Sequence, residues 1–167
     1  MVKLHLHKFF RSPKYYPLMT TRIDITRTGT DYAFEAVDSN GHRMQMDAAE
    51  AIGGHNSGIR PMQTILMGLG GCSGIDIVSI LKKQRQEISS FRMEIEAERE
   101  SGKEPALWKE VKIRFVFEGN IDPEKAQKAC ALSIDKYCSV AATLRAAGCS
   151  IQWQAEVISP DNNVHQS

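Results

Sequence analysis

Cys72 and Cys138 stand out by context as candidates for a thiolate nucleophile, the form in which cysteine attacks peroxides, disulfides and thioesters. Cys72 lies in the run GGCSGID. If that run is helical, Gly71 and Gly74 strip the surface beside the sulfur, and a second group or a small ligand can approach it. Cys138 lies in KYCSV, just before a short helix, where free N–H groups and the helix dipole favour a thiolate. The distance between the two along the chain says nothing about contact. Against these readings stands the usual fate of a free cysteine, a small buried hydrophobe. Cys130, inside the helical run EKAQKACALSID, fits that description, and Cys149 opens the last strand without a functional signal.

A reactive Cys72 needs help from outside its own helix. It sits eleven residues beyond Pro61, where that helix starts, and the dipole effect fades within the first turn. Asp76, at i+4 on the same face, opposes ionisation. Arg60 would lie roughly 18 Å down a straight axis. Arg43 on the preceding strand, or an arginine from a second subunit, is the better cation. There is no CxxC and no paired Cys/His spacing. His5, His7, His42, His55 and His165 are scattered, without the i, i+4 pairing of a metal site. No resident metal or cofactor is expected.

The elements that must position these thiols follow from periodicity. Pro61–Lys83 reads as one long helix. Pro61 suits its first turn, no charge appears before Asp76, and apolar residues cover most of the circumference, which marks a helix buried on nearly all sides. Gly68, Gly70, Gly71 and Gly74 each cost roughly 1 kcal/mol in a helix interior. Close approach of another backbone would offset that, from a strand of this chain or the same helix of a second chain. The glycines and polar residues argue against a membrane span. Residues 20–27, 32–37 and 43–47 alternate as strands of an antiparallel meander, with a hairpin signal at Ser39-Asn40-Gly41. Residues 48–60 read as a loop. Residues 91–100 and 111–117 alternate again and should pair. Asp122-Pro123-Glu124 opens a helix to about Tyr137. A second helix covers 139–147, and 149–159 closes the sheet. The order βββ–α–ββ–αα–β is an α+β fold, with antiparallel sheets around a long buried central helix. Residues 1–18 read as an N-terminal extension, 19–160 as the domain and 161–167 as a disordered tail.

A formal net charge of +1 gives no electrostatic argument for nucleic acid or membrane partners. Four cysteines in a chain of this size are not a disulfide scaffold. No signal peptide is visible, so the expected compartment is the cytoplasm, with thiols reduced at rest.

The runs GIRPMQTILMGLGGCSGID and EKAQKACALSIDKYCSVAATL resemble the OsmC/Ohr family of thiol proteins (osmotically induced protein C and organic hydroperoxide resistance protein) over about residues 20–158. The specific features are a helix-opening Pro with a Cys eleven residues on, a second Cys in a C-x-V context opening a later helix, and the element order. The variants GGCSGID and KYCSVA resemble a less-studied branch. The resemblance implies an OsmC-like fold, an intertwined homodimer with two active sites at the subunit interface, and a peroxidase that reduces organic hydroperoxides and, weakly, hydrogen peroxide. It makes Cys72 the peroxidatic thiolate and Cys138 the resolving thiol, joined in a disulfide after a Cys72 sulfenic acid. An external dithiol of lipoyl type restores the pair, without metal or flavin. The peroxidase branches carry a Glu directly after the Pro, where this chain has Met62 followed by Gln63. They also use an activating Arg, for which Arg43 and Arg60 are the candidates. Gln63 and Asp76 complete the supporting set. The competing readings are a non-catalytic small-ligand or redox-sensing module on the same scaffold, and thiol exchange with Cys138 as the low-pKa group.

Overall fold

The computed structural model describes residues 20–29 and 31–158. The extension expected over 1–18 and the tail expected over 161–167 lie outside the described residues. Two compact units divide between Gly58 and Ile59.

The first unit is the expected antiparallel meander, β1 (Ile23–Arg27), β2 (Phe34–Asp38) and β3 (Arg43–Met46). Its register sets Ile25 opposite Ala36 and Ala36 opposite Met44, with Phe34 opposite Met46. Alternation therefore gathers Ile23, Ile25, Phe34, Ala36, Met44 and Met46 on one face, and Ile23 and Ile25 remain exposed. After β3, the buried carboxylate of Asp47 accepts hydrogen bonds from the main-chain N–H groups of Ala48, His55 and Ser57 and from the Ser57 hydroxyl. One side chain thus gathers the loop that the sequence leaves irregular.

The second unit carries the rest. Helix α1 (Pro61–Lys83) keeps its expected bounds. Strands β4 (Glu87–Arg99) and β5 (Trp108–Asn120) pair antiparallel over their length. The chain continues through α2 (Pro123–Leu132), a π-helical turn (Ser133–Tyr137) and α3 (Ser139–Ala146) to β6 (Ser150–Ile158). Asp122 caps α2 as expected, accepting from the N–H groups of Glu124 and Lys125. The expected helix through Tyr137 changes hydrogen-bonding pattern at Ser133, a feature that recurs at functional sites.

Two expectations need correction. The first concerns β6, which joins β5 in parallel, so the sheet is antiparallel only along β4–β5. The helical segment between them carries the chain back along the sheet, the long crossover that parallel pairing requires. The second concerns α1, whose burial within this chain is confined to one face. Leu69, Gly70, Ser73, Gly74, Ile77 and Leu81 are buried, whereas Ile75 is 74% exposed and Met67 53%. The buried face packs in a core with Val111, Ile113, Phe115 and Phe117 of β5 and Ala129, Cys130, Ala141 and Leu144 of the helices. The membrane argument also changes. By length and composition alone α1 qualifies as a bilayer-crossing helix despite its glycines, while one face of it packs into this core.

The glycines do mark close approach, but to side chains. A Cβ at Gly70 would stand 3.1 Å from Ile95 Cδ1, and one at Gly74 only 2.9 Å from Met93 Cε. Strand β4 therefore settles onto α1 through these two positions. At Gly68 and Gly71 nothing lies within 4 Å.

Candidate active site

Cys72 sits at the middle of α1, at the edge of its buried face. Cys138 is the N-cap of α3. The core that packs α1 against α3 and the π-turn brings the two cysteines near each other, with Cys72 reaching the residue next to Cys138. Both are free thiols. The Cys72 sulfur lies 4.0 Å from the Ser139 hydroxyl oxygen.

A helix leaves its first N–H groups without partners inside the helix, and α3 shows where they go. The N–H of Ala142 reaches the Cys138 carbonyl. That of Ala141 donates to the Cys138 sulfur at 3.4 Å. The Ser139 hydroxyl, in the first turn, lies against the Cys72 sulfur. The start of α3 thus solvates two sulfurs at once.

Their ionisation is split as a result. Burial pushes the Cys72 thiol up, but Cys138, the Val140 N–H, and the hydroxyl and N–H of Ser139 together pull it below the ordinary thiol value. Burial and the neighbouring Cys72 push Cys138 up to about 11, against the pull of the Ala141 N–H. This reverses the expectation for Cys138 as the low-pKa group. Cys138 does stand at the helix start that the sequence predicts, but burial outweighs the Ala141 N–H that its sulfur accepts. Cys138 is almost fully buried, and a second negative charge beside Cys72 is disfavoured.

A buried tie holds the arrangement. The Ser133 hydroxyl donates to the Ser73 carbonyl at 3.1 Å and reaches the Asp76 carboxylate at 3.4 Å. Asp76 therefore faces the π-turn as well as sharing the side of α1 that carries Cys72.

The other expected helpers have separate tasks. Gln63 lends its side-chain oxygen to the Arg60 main-chain N–H, closing the start of α1. Arg60 is the N-cap of the same unbroken helix, which keeps it roughly 18 Å from Cys72 along the axis. Arg43 belongs to the first unit, where it pairs with Glu35. The Met62 carbonyl accepts from the Trp108 indole N–H at 3.2 Å. Within one chain, uncharged donors favour the ionisation of Cys72. Ser139, Val140 and Ser133 were missed. The signal was present for the first two, because a helix starting at Ser139 must aim its free N–H groups at something. Burial pushes the remaining thiols up, Cys130 to about 12 and Cys149 in the same direction. Among the described residues, no group of three or more His, Cys, Asp or Glu side chains is arranged to hold a metal ion.

Known proteins share this architecture. Protein YhfA of Escherichia coli (strain K12) is 36% identical over 118 residues, which cover 68% of this chain and 82% of that protein. The crystal structure of a hypothetical protein from Aquifex aeolicus VF5 superposes with a TM-score of 0.70 at 27% identity, covering 84% of this chain and 99% of that one. The organic hydroperoxide resistance protein OhrB of Bacillus subtilis superposes with a TM-score of 0.57 at 20% identity, over 83% of this chain and 99% of its own, and shares the fold. The family profile described as OsmC-like protein matches residues 54–154, spanning α1, the paired strands and both cysteines. On this match, and on its identity with YhfA, the chain belongs to the OsmC/Ohr-like family.

Proposed function

We infer that this protein is a cysteine peroxidase that reduces organic hydroperoxides, and hydrogen peroxide weakly, at the expense of a dithiol. The observation that carries the reading is the pairing of Cys72, pulled toward the thiolate, with Cys138, held as a thiol beside it. The Cys72 thiolate attacks the terminal peroxide oxygen. The O–O bond breaks, and the departing alkoxide takes a proton from Cys138 or solvent and leaves as the alcohol. Cys72 becomes a sulfenic acid. Cys138 then attacks that sulfur, the S–S bond forms and water leaves with the sulfenic oxygen. An external dithiol, of the lipoyl type in this family, takes over the disulfide and regenerates both thiols. A reducing cytoplasm suits a pair that rests reduced.

The working unit in this reading is a homodimer. Ile75 and Met67 on α1, and Ile23 and Ile25 on β1, leave apolar faces that a second copy would cover.

A second reading, a small-ligand or redox-sensing module, draws on an open groove of about 590 Å³ along Gly71, Gly74, Ile75, Val78, Phe91 and Met93. Cumene hydroperoxide consumption with dihydrolipoamide separates the two. The peroxidase reading requires turnover that disappears in Cys72→Ser. Full turnover in that variant, or none in the native protein, would overturn it.

A further inference from the structure

The turn that delivers Cys138 departs from the α-helix by one residue, and a single side chain occupies the group that this departure sets free. We propose that Arg145 is a positioning residue that holds the π-turn in its register, and so fixes where Cys138 stands for bond formation with Cys72. The proposal rests on the reading of these thiols as a redox pair and names the residue that sets the place of the second one.

In an α-helix the Cys138 N–H would donate to the carbonyl four residues back, that of Ile134. Here it donates to the Ser133 carbonyl at 2.8 Å, five residues back. The Ile134 carbonyl thereby loses its helical donor. Ile134 is buried, and an unpaired main-chain carbonyl costs most where water is excluded. Arg145, in the last turn of α3, takes the vacated place. Its Nη1 donates to the Ile134 carbonyl at 2.7 Å, and its Nη2 to the Asp135 carboxylate at 2.8 Å. A planar guanidinium can meet two neighbouring acceptors at once. Cys138 lies inside the stretch that this clamp closes, between Asp135 and Arg145. From the other side, the Ser133 hydroxyl donates to the Ser73 carbonyl of α1 at 3.1 Å. Consecutive residues of the turn, Ser133 and Ile134, are thus fastened to α1 and α3, the two helices that carry the thiols.

Loss of Arg145 frees the Ile134 carbonyl to take back the Cys138 N–H. That change removes one residue from the turn, equivalent to about 100° of rotation in a helix. With the clamp in place, oxidation has only to close a pair already held in position. Without it the reduced turn gains conformations that the disulfide must then take away, so the bond becomes harder to form. The ion pair with Asp135 lies at the surface and adds little. The bond to the Ile134 carbonyl carries the effect.

The test is the equilibrium of the full-length protein with mixtures of reduced and oxidised glutathione. One S–S bond forms between Cys72 and Cys138, one breaks in oxidised glutathione, and the two thiol protons leave with the two reduced glutathiones. Acid quenching, alkylation and peptide mass spectrometry count the Cys72–Cys138 disulfide in native protein, Arg145→Met, Arg145→Lys and Asp135→Asn. Expected is an equilibrium constant roughly threefold to tenfold lower in Arg145→Met, the scale of one lost hydrogen bond. Arg145→Lys, which keeps a donor without the fork, should fall between, and Asp135→Asn should match the native value. A loss of stability common to both redox states would leave the constant in place. A constant unchanged or raised in Arg145→Met overturns the proposal. So does an Asp135→Asn constant as low as that of Arg145→Met, which would place the effect in the ion pair. No peroxide enters the measurement. A lowered constant in Arg145→Met with no peroxide turnover in the native protein keeps the clamp and removes the peroxidase reading. Normal turnover with an unchanged constant does the reverse. Native protein that forms no such disulfide at any glutathione ratio overturns both.

Discussion

Ser133 donates its hydroxyl hydrogen to the main-chain carbonyl of Ser73 at 3.1 Å, and so fastens the turn that delivers Cys138 to the helix that carries Cys72. Both residues are fully buried. The bond crosses 60 residues of sequence and lies one residue from Cys72.

Removing that tie should uncouple the two chemical steps. Ser133→Ala is expected to cost about 1 kcal/mol of stability, the net worth of one buried hydrogen bond. The first step, on Cys72, should keep its rate, because the donors at the start of α3 belong to other residues. The second should slow, because Cys138 is held less firmly against its target. Stopped-flow oxidation with one equivalent of cumene hydroperoxide, with dimedone trapping of the sulfenic acid, reads both steps. A sulfenic acid no longer-lived than the native one would remove the positioning role given to this bond.

The split ionisation fixes an order of reactivity with pH. Cys72 is lowered against the pull of burial, so its labelling should level off below the ordinary thiol value. Cys138 is pushed up to about 11 and should label appreciably only as pH approaches that value. Cys138→Ser should still form a Cys72 sulfenic acid with one equivalent of peroxide, but no disulfide. Stability should barely fall in this variant, since serine is a strong N-cap and can take over the Ala141 N–H. Labelling of Cys138 ahead of Cys72 at neutral pH would reverse the assignment of roles and favour thiol exchange instead.

What could be read in advance, and what could not, follows from how local each signal is. Alternation in FRMEIEAER and VKIRFVF marks both long strands, and Asp122-Pro123 marks the start of α2, because each depends on neighbouring residues alone. The parallel seating of β6 depends on where a crossover of two helices and a π-turn returns the chain, which no local pattern encodes. The same applies at the site. The cysteines stood out by their glycine and helix-start contexts, while the partner of each sulfur is set by packing between α1 and α3. The helix start does offer Cys138 a donor, the Ala141 N–H, but burial outweighs it and pushes that thiol up, and burial is set by packing that no local pattern encodes.

The exposed side of α1 invites a direct test of assembly. Ile75 is 74% exposed, and a Cβ at Gly71 would meet nothing within 4 Å. In a lone chain Ile75→Glu would be nearly neutral, as surface substitutions usually are. In the proposed dimer the same change buries an unpaired carboxylate, at a cost of several kcal/mol. Sedimentation velocity at micromolar concentration should show the native protein as a dimer and Ile75→Glu shifted to monomer. Native protein that sediments as a monomer would leave this face without its proposed occupant.

Alkaline conditions should weaken the fold through a thiol that plays no part in the chemistry. Cys130 is fully buried inside α2, and burial pushes it up to about 12. In the unfolded chain it titrates near the ordinary thiol value of about 8.5. The folded form therefore binds the proton more tightly. That stabilisation is complete below the unfolded value and is lost as pH rises from there toward the folded one, by up to about 1.4 kcal/mol per pH unit. Cys138, also raised, works in the same direction. Cys72 works oppositely, adding stability above the ordinary value that is lost as pH falls through its lowered folded value. Cys130→Ala removes the largest of these contributions and leaves only a small cavity. Urea midpoints under reducing conditions should show the variant less stable than native protein at pH 7, with the gap closing by pH 10. Parallel curves across that range would mean that the Cys130 thiol escapes its buried setting before it ionises, and that α2 opens locally without unfolding the domain.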